Sequence, residues 1–251
     1  MSLHEIRFWG ASIQQCMSMN VILPSSPGPF PVLYLLHGLS DDHSAWLRRS
    51  GIERYVESHH VAVVMPACLR GWYCNDERHG GWAYEDHIIK DVIGYIDATF
   101  RTIPDRTGRA VAGLSMGGYG AIMLAMRHPD TFRAACSHSG ALGFLHTRRQ
   151  DFSDFDAYFD IFPPEKYSVF ELAKTHAASG RQTGGRELAI RIDCGREDFL
   201  IDQNREFHAH LQALGVPHEY EEFPGAHTWD YWDQHVQETV TFVMRQFAGK
   251  A

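Results

Sequence analysis

The pentapeptide Gly-Leu-Ser-Met-Gly at residues 113–117 constrains the fold more than any other part of this 251-residue chain. It joins an apolar run at residues 109–114, which predicts a buried strand, to residues 116–127, which predict a helix. A strand that turns directly into a helix leaves no room for side chains on either side of the bend. Gly113 and Gly117 meet that demand because neither has a Cβ atom. We therefore predict a tight strand–turn–helix unit with the serine at its bend.

Apolar runs and helical patterns alternate along the rest of the chain, which is typical of a doubly wound, mostly parallel sheet. Strands are predicted at residues 13–23, 32–36, 61–65, 109–114, 133–137, 188–193 and 219–223, the first of them antiparallel. Helices are predicted at residues 52–58, 86–100, 116–127, 203–214 and 232–247. The chain has 44% hydrophobic residues and no internal repeat or linker, which suits a single α/β domain with helices on both faces of its sheet.

One segment interrupts this alternation, because residues 141–186 separate two strands by far more than an ordinary crossover. Its many aromatic residues make it too apolar for a disordered loop. We predict a small cap over the functional site; the alternatives are a packing annex and an interface between copies of the chain in a homo-oligomer. The aromatic residues are Phe144, Phe152, Phe155, Tyr158, Phe159, Phe162, Tyr167 and Phe170.

Charge and hydropathy argue against several classes of partner. The formal net charge is −8 and no Lys/Arg-rich run occurs, so we expect no nucleic-acid partner. The sequence has no apolar run of roughly 18 residues, so we expect no membrane span. Residues 1–10 lack the apolar core of a signal peptide. The five cysteines match no zinc or disulfide spacing, and they indicate small structural residues in a reducing cytoplasm.

Ser115 has the sequence context of a nucleophile. G-x-S-x-G at a strand-to-helix turn is the nucleophile elbow of α/β-hydrolases, in which the hydroxyl stands above the sheet edge. The following helix directs its N-terminal N–H groups toward the negative charge that develops during acyl transfer. The alternative is a glycine-rich turn with a bystander serine, since short motifs also occur by chance.

A serine nucleophile needs an orienting acid and a base, which follow it in the α/β-hydrolase chain in that order. The acid is expected just beyond a late strand, and Asp198 lies in the loop after residues 188–193. Asp193 competes for the role but is expected to belong to the strand itself. Glu197 and Asp202 are the remaining candidates.

His227 is the candidate base among the 16 histidines. It lies in a Gly/Pro turn between the last strand and the last helix, from which its ring can reach back to the serine. His218 precedes that strand and His235 lies within the helix, so position favours His227. His37 belongs to another loop, which we expect it to brace.

Two backbone N–H groups are predicted to bind the oxyanion. One belongs to Met116, the residue after the serine, and the other to Leu39 in the loop at residues 37–42, where Gly38 allows close approach. Three aromatic residues are candidates for lining the substrate pocket, with simple packing around the loops as the alternative: Trp72, Tyr119 and Trp229.

These segments together resemble the esterase D family of α/β-hydrolases. Four segments carry the similarity, which extends from residue 13 to the last helix: LYLLHGL at residues 33–39, GLSMGGYGA at 113–121, DCGREDFL at 193–200 and PGAHTWD at 224–230. The chain is most similar to the bacterial tributyrin esterase branch, as Trp46 and the GWYCN loop at residues 71–75 also indicate. The resemblance implies an α/β-hydrolase fold and cleavage of short acyl esters without a cofactor or metal.

The sequence therefore predicts a serine carboxylesterase that acts on small-molecule esters through a Ser-His-Asp triad and an acyl-enzyme. Thioesters such as S-formylglutathione, feruloyl esters and acetyl-sugar esters are alternative substrates in the same family. S-formylglutathione hydrolases usually have SGLTC where this chain has HGLSD at residues 37–41, which favours an ester. A non-catalytic binding module of the same fold usually lacks a triad member, whereas all three candidates are present here. A peptidase is a further alternative that no sequence feature marks.

Overall fold

One mostly parallel sheet organises the fold of this computed structural model, which describes residues 1–76, 78, 82–146, 156–180 and 187–249. The strands are β1 (Ser2–Gly10), β2 (Gln15–Leu23), β3 (Val32–Leu36), β4 (Ala62–Pro66), β5 (Arg109–Leu114), β6 (Ala134–His138), β7 (Ala189–Gly195) and β8 (Glu219–Phe223). Their order in the sheet is β1-β2-β4-β3-β5-β6-β7-β8. The β1–β2 and β2–β4 pairs are antiparallel and all the others are parallel.

Helices α9 and α10 extend the predicted helices by a few residues, α2 is shorter than predicted and α5 has the predicted bounds, whereas α1, α6, α7 and α8 were not predicted. They are α1 (Ala45–Arg49), α2 (Ile52–Val56), α3 (Tyr84–Asp86), α4 (Ile93–Thr99), α5 (Met116–Arg127), α6 (Asp156–Phe159), α7 (Pro164–Tyr167), α8 (Val169–Gly180), α9 (Ile201–Leu214) and α10 (Trp229–Ala248). A π-helical turn at His87–Val92 connects α3 to α4, where the sequence predicts one regular helix. In this turn His87 lies 3.0 Å from the Asp91 carboxylate, which also accepts the Ser12 backbone N–H of the β1–β2 turn.

The central strands are buried along their whole length, as continuous apolar runs predict for a sheet covered on both faces. On one face, Tyr34 and Val111 pack with Ile122 of α5. On the other face, Leu35 packs with Trp46 of α1, and Val236 of α10 belongs to the same cluster. The predicted layering, with helices on both faces of a mostly parallel sheet, is confirmed.

Strand β1 is the one strand of the described sheet that hydropathy did not predict. It pairs with β2 over its full length, from Ser2 opposite Leu23 to Gly10 opposite Gln15. Its side chains alternate between exposed and half-buried because it lies at the edge of the sheet. An edge strand needs few buried apolar residues, so its sequence carries a weak signal.

The described part of the predicted cap packs against the loop at residues 71–75. Phe144 stacks on Trp72 with ring centroids 3.7 Å apart, and Tyr158 contacts Trp72 at 5.8 Å. Helix α8 packs between α5 and α9. Phe152 and Phe155 lie outside the described residues. Among the helices that the structure describes, none has the length and apolar character to span a bilayer.

Candidate active site

Ser115 lies at the bend between β5 and α5 in an unusual backbone conformation. Its φ is 53° and its ψ is −116°, a combination that is strained for any residue with a side chain. Hydrogen bonds to neighbouring segments stabilise this strained conformation. The Ser115 N–H donates to the His138 carbonyl at 2.9 Å, and the Ser115 carbonyl accepts from the Ala141 N–H at 3.0 Å.

Gly113 and Gly117 let the bend close. A Cβ atom on Gly113 would lie 2.5 Å from the carbonyl carbon of Gly117. A Cβ atom on Gly117 would lie 2.6 Å from the carbonyl oxygens of Leu36 and His37. These distances are shorter than van der Waals contact with backbone atoms that are themselves fixed in the sheet. The glycine requirement predicted from the sequence is therefore confirmed at both positions.

The structure brings together Ser115, His227 and Asp198 at the carboxyl ends of β5, β8 and β7. His227 Nε2 lies 3.0 Å from Ser115 Oγ, and His227 Nδ1 lies 2.8 Å from Asp198 Oδ2. A carboxylate beside Nδ1 keeps the proton on that nitrogen, so Nε2 presents a lone pair to the serine hydroxyl. This arrangement can remove a proton from the hydroxyl.

Asp198 is held rigidly in the loop after β7. Its side chain is buried, and Oδ1 accepts the backbone N–H of Leu200 at 2.8 Å. Glu197 points instead to the histidine loop, where its carboxylate accepts the Gly225 N–H at 2.6 Å. Asp202 lies on α9, and its side chain is 81% exposed beside Arg205.

The competing acid, Asp193, belongs to a separate network inside the sheet. It lies 2.9 Å from His138 Nδ1, accepts the Tyr231 hydroxyl at 2.9 Å and pairs with Arg191. The Thr239 hydroxyl lies 2.8 Å from the other ring nitrogen of His138. Burial raises the pKa of Asp193, but His138 and Arg191 outweigh burial and lower it below its ordinary value.

The acid loop and the histidine loop are joined by their backbones, a feature that sequence reasoning missed. The Glu197 N–H donates to the Gly225 carbonyl at 3.0 Å. A Cβ atom on Gly195 would lie 2.1 Å from that same carbonyl oxygen. Gly225 has a φ of 137°, which favours glycine. The glycines in both loops are the sequence signal that points to this close approach.

The two predicted oxyanion donors belong to segments that lie next to Ser115. Met116 begins α5, so its N–H belongs to the first turn, which has no acceptor within the helix. Leu39 follows Gly38, and a Cβ atom on Gly38 would lie 3.6 Å from Ser115 Cβ and 2.6 Å from Leu114 Cδ1. The loop can therefore approach the serine this closely because residue 38 is a glycine.

His37 braces the loop at residues 37–42, as the sequence predicts. Its Nε2 accepts the Cys68 N–H at 2.9 Å, so the proton is on Nδ1, which donates to the Gly38 carbonyl at 2.8 Å. The Tyr73 hydroxyl donates to the His37 carbonyl at 2.9 Å. Burial lowers the pKa of His37 to about 4, so its ring is neutral at pH 7.

The three candidate pocket residues lie in different surroundings. Trp72 is nearly buried beneath Phe144 of the predicted cap. Tyr119 is completely buried and donates its hydroxyl to the Tyr167 carbonyl at 2.9 Å, which favours the packing alternative for this residue. Trp229 is half-buried on the α1/α10 face, where its ring lies 5.2 Å from Trp46.

Two aromatic rings that sequence reasoning did not single out contact His227. The Phe199 ring lies 4.5 Å from the His227 ring, and the Trp232 ring lies 4.8 Å from it. Phe199 is 60% exposed, whereas Trp232 is buried. The position of Phe199 directly after Asp198 is a sequence signal, but its exposure depends on the tertiary structure.

The described residues contain no group of three or more His, Cys, Asp or Glu side chains arranged to hold a metal ion. The five cysteines are free, and all but Cys16 are buried, as expected for structural residues. Burial raises the pKa of the Cys136 thiol to about 12, so this thiol is inert at neutral pH.

The chain matches the protein family described as "Putative esterase" over residues 10–243. It is 26% identical to an acetyl esterase of Caldicellulosiruptor saccharolyticus, across 94% of this chain and 96% of that protein. Among solved structures, it is similar to the fluorophosphonate-binding serine hydrolase F of Staphylococcus aureus, with a TM-score of 0.83, 29% identity and coverage of 97% of this chain and 98% of the other. The S-formylglutathione hydrolase of the same organism gives a TM-score of 0.81 and 28% identity, covering 97% of this chain and 100% of the other. These likenesses confirm the predicted α/β-hydrolase fold.

Proposed function

The chain belongs to this esterase family and is a carboxylic ester hydrolase, and we propose that it cleaves short-chain acyl esters through Ser115, His227 and Asp198. One observation carries the proposal: hydrogen-bonding distances of 3.0 Å and 2.8 Å connect the serine hydroxyl, the imidazole and the buried carboxylate without a break. This is the geometry that nucleophilic acyl transfer requires.

In the first half of the reaction, Ser115 Oγ attacks the ester carbonyl carbon while its proton passes to His227 Nε2. The carbonyl oxygen becomes an oxyanion, which the N–H groups of Met116 and Leu39 stabilise. Asp198 stabilises the positively charged imidazolium and holds its orientation. The imidazolium then protonates the leaving alkoxide, so an alcohol departs and an acyl-serine remains.

In the second half, water replaces the alcohol beside His227. The His227 imidazole removes a proton from the water while the water oxygen attacks the acyl carbon. A second oxyanion forms in the same N–H pair and collapses, with the proton returning to Ser115 Oγ. The carboxylic acid leaves, and the enzyme regains its starting protonation state.

Short acyl groups are the proposed substrates because aromatic side chains occupy the region beside Trp72. In the predicted cap, Phe144 and Tyr158 pack on Trp72, and Phe162 stacks on Tyr158 at 5.9 Å. We infer that a wall of rings packed in this way admits only a short acyl chain. The similarity to an acetyl esterase supports the same size class. The tributyrin esterase branch fits this substrate range.

The five free cysteines fit a reducing compartment such as the cytoplasm, which we propose as the location of the protein.

A thioester is the second candidate substrate, since the chain is 28% identical to an S-formylglutathione hydrolase across nearly its whole length. Thioester and ester hydrolysis share the same triad and oxyanion donors, so the geometry accommodates both. The loop sequence HGLSD at residues 37–41 favours the ester.

A series of 4-nitrophenyl esters from acetate to octanoate tests the proposal, with S-formylglutathione assayed alongside. Each additional buried CH₂ contributes about 0.8 kcal/mol while it fits. We expect kcat/KM to rise from acetate to butyrate and then to fall. A best substrate with an acyl chain as long as octanoate would contradict the compact pocket, and a large preference for the thioester would favour the second candidate.

The cap hypothesis predicts that Phe162→Ala shifts the preferred acyl chain to a longer ester, because the substitution removes a buried ring from the cap. The same ester series measures this shift. Trp9→Ala is the matched control, since Trp9 lies on edge strand β1 and is 61% exposed. An unchanged optimum in Phe162→Ala would favour the packing annex over the cap.

A further inference from the structure

Phe199 presents an apolar surface next to the proposed base. It is 60% exposed, although it lies between Asp198 and Leu200, which are both buried. Its ring lies 4.5 Å from the His227 ring at an interplanar angle of 54°. An exposed aromatic ring beside a reactive group is a surface that a ligand can cover favourably.

The backbone around Phe199 is fixed by hydrogen bonds, so the point from which its ring projects is set before a substrate arrives. The Asp198 N–H donates to the Gly195 carbonyl at 3.1 Å, and the Leu200 N–H donates to Asp198 Oδ1 at 2.8 Å. Glu197, two residues before Phe199, accepts the Gly225 N–H of the histidine loop with its side chain. Such preorganisation lowers the entropy lost when a ligand is bound.

The second aromatic neighbour of His227 is closed to ligands. Trp232 packs edge-on against the histidine, with an interplanar angle of 89°, and is 5% exposed. It also packs against Trp229 in the helical layer on the α10 face. Of these two rings, Phe199 is therefore the one that a bound molecule can reach.

The reaction determines which part of the substrate comes near Phe199. The carbonyl oxygen must face the N–H groups of Met116 and Leu39, while the leaving oxygen must lie within roughly 3 Å of His227 Nε2 to receive its proton. The acyl group therefore stays on the serine side, and the alcohol group extends along the histidine side.

We propose that the exposed face of Phe199 binds the alcohol part of the ester and favours apolar, above all aromatic, alcohols. This inference rests on the proposed function, because it uses the roles of Ser115 and His227. It adds a specificity determinant for the leaving group that is separate from the acyl-chain selection attributed to the cap.

The test keeps the acyl group constant and changes the alcohol. Methyl butyrate and benzyl butyrate are hydrolysed by wild type, Phe199→Ala, Phe199→Leu and the control Trp9→Ala, and kcat/KM is measured for each. We expect the benzyl-to-methyl ratio to fall about tenfold in Phe199→Ala, which is the scale of a lost ring–ring contact. Phe199→Leu is expected to fall less, and Trp9→Ala to keep the wild-type ratio.

Three results would overturn the inference while leaving the proposed function intact. An equal loss of kcat/KM for both esters in Phe199→Ala would make Phe199 a support for the Asp198 loop. Wild-type kcat/KM for both esters would place the ring away from the bound alcohol. A shift of the preferred acyl length at constant alcohol, measured with the 4-nitrophenyl ester series, would place the ring in the acyl site. If wild type hydrolyses neither ester, or Ser115→Ala is as active as wild type, the proposed function fails and the inference fails with it.

Discussion

The molecule contains two hydrogen-bonded networks in which an aspartate, a histidine and a hydroxyl are linked at nearly the same distances. In one, His227 lies 2.8 Å from Asp198 and 3.0 Å from Ser115. In the other, His138 lies 2.9 Å from Asp193 and 2.8 Å from Thr239. Hydrogen-bond geometry alone therefore does not distinguish a reactive site from a structural network.

Solvent exposure of the side chains distinguishes the two networks. The side chains of His138 and Asp193 are 0% exposed, and Thr239 is equally buried, so neither substrate nor water reaches that hydroxyl. The side chain of His227 is 17% exposed, and Ser115 is half-buried at a strained bend. Ser115 also precedes the unpaired N–H groups of a helix, whereas Thr239 lies in the middle of α10.

The two carboxylates also differ in their partners. Asp193 interacts with His138, Tyr231 and Arg191, which together join β6, β7 and α10. Asp198 holds His227 and the Leu200 N–H within the loops at the sheet edge. The first network stabilises the interior, and the second orients His227 toward the Ser115 hydroxyl.

Ser115→Ala is expected to have the largest effect, and it tests directly whether Ser115 rather than Thr239 is the reactive hydroxyl. Removing the nucleophile should lower ester turnover by a factor on the order of 10⁶, leaving the oxyanion donors and substrate binding. Turnover of 4-nitrophenyl butyrate measures the loss, and mass spectrometry after fluorophosphonate treatment should locate the label on this residue in wild type.

Thr239→Val is the matched control for the second hydroxyl. It keeps the side-chain shape but leaves one nitrogen of His138 without its partner, which should lower the free energy of unfolding by about 1–3 kcal/mol. Ester turnover should stay at the wild-type level. Fluorophosphonate labelling of a serine other than Ser115, or loss of turnover in a folded Thr239→Val, would show that the sites are assigned wrongly.

Asp198→Asn should lower turnover by roughly 10⁴, with the fold retained. An amide at this position leaves the histidine free to adopt the wrong tautomer and removes the charge that stabilises its imidazolium. Turnover and thermal unfolding measured on the same sample separate the two effects. A variant that keeps near wild-type turnover would remove Asp198 from the triad.

Asp193→Asn should show the opposite pattern. The substitution weakens a fully buried set of hydrogen bonds, so we expect the free energy of unfolding to fall by about 1–3 kcal/mol. Turnover of the folded variant should remain within about threefold of wild type, because Asp193 contacts no reacting atom. Denaturant unfolding and ester turnover check both parts. Abolished turnover in a stable variant would make Asp193 the acid.

The smallest expected effect is a change in acid stability. The pKa of Asp193 in the fold lies below its ordinary value of 3.8, so its ionised form stabilises the protein above about pH 4. That contribution is lost as the pH falls below 3.8 and through the lowered pKa. Asp193→Asn does not titrate there, so its free energy of unfolding should fall less than that of wild type between about pH 5 and pH 2.

Glu85 also contributes to the loss of stability in acid, in wild type and in Asp193→Asn alike. Burial raises its pKa, but hydrogen bonds from His128 and Arg127 outweigh burial and lower it to about 2. This carboxylate destabilises both proteins equally as it becomes protonated. Parallel curves for wild type and Asp193→Asn would mean that Asp193 titrates alike in the folded and unfolded chains.

Local patterns account for the parts of the fold that were predicted well. The strands at residues 32–36, 109–114 and 219–223 and the helix at residues 116–127 have the predicted bounds. Each combines an apolar periodicity with a turn signal, and both signals act between neighbouring residues. Strand β1 and the π-helical turn were missed because pairing with β2 and contacts with the β1–β2 turn decide them.

Local sequence patterns were enough to establish the strand–serine–helix unit and an α/β-hydrolase of the esterase type, and they predicted the order of the proposed nucleophile, acid and base. Tertiary structure decided which aspartate meets which histidine, since Ser115 and His227 are 112 residues apart and Asp198 and His227 are 29 apart. It also decided that Tyr119 is buried while Phe199 faces solvent. Turn and periodicity signals act over a few residues, whereas burial and side-chain pairing depend on loops that meet only when the sheet is assembled.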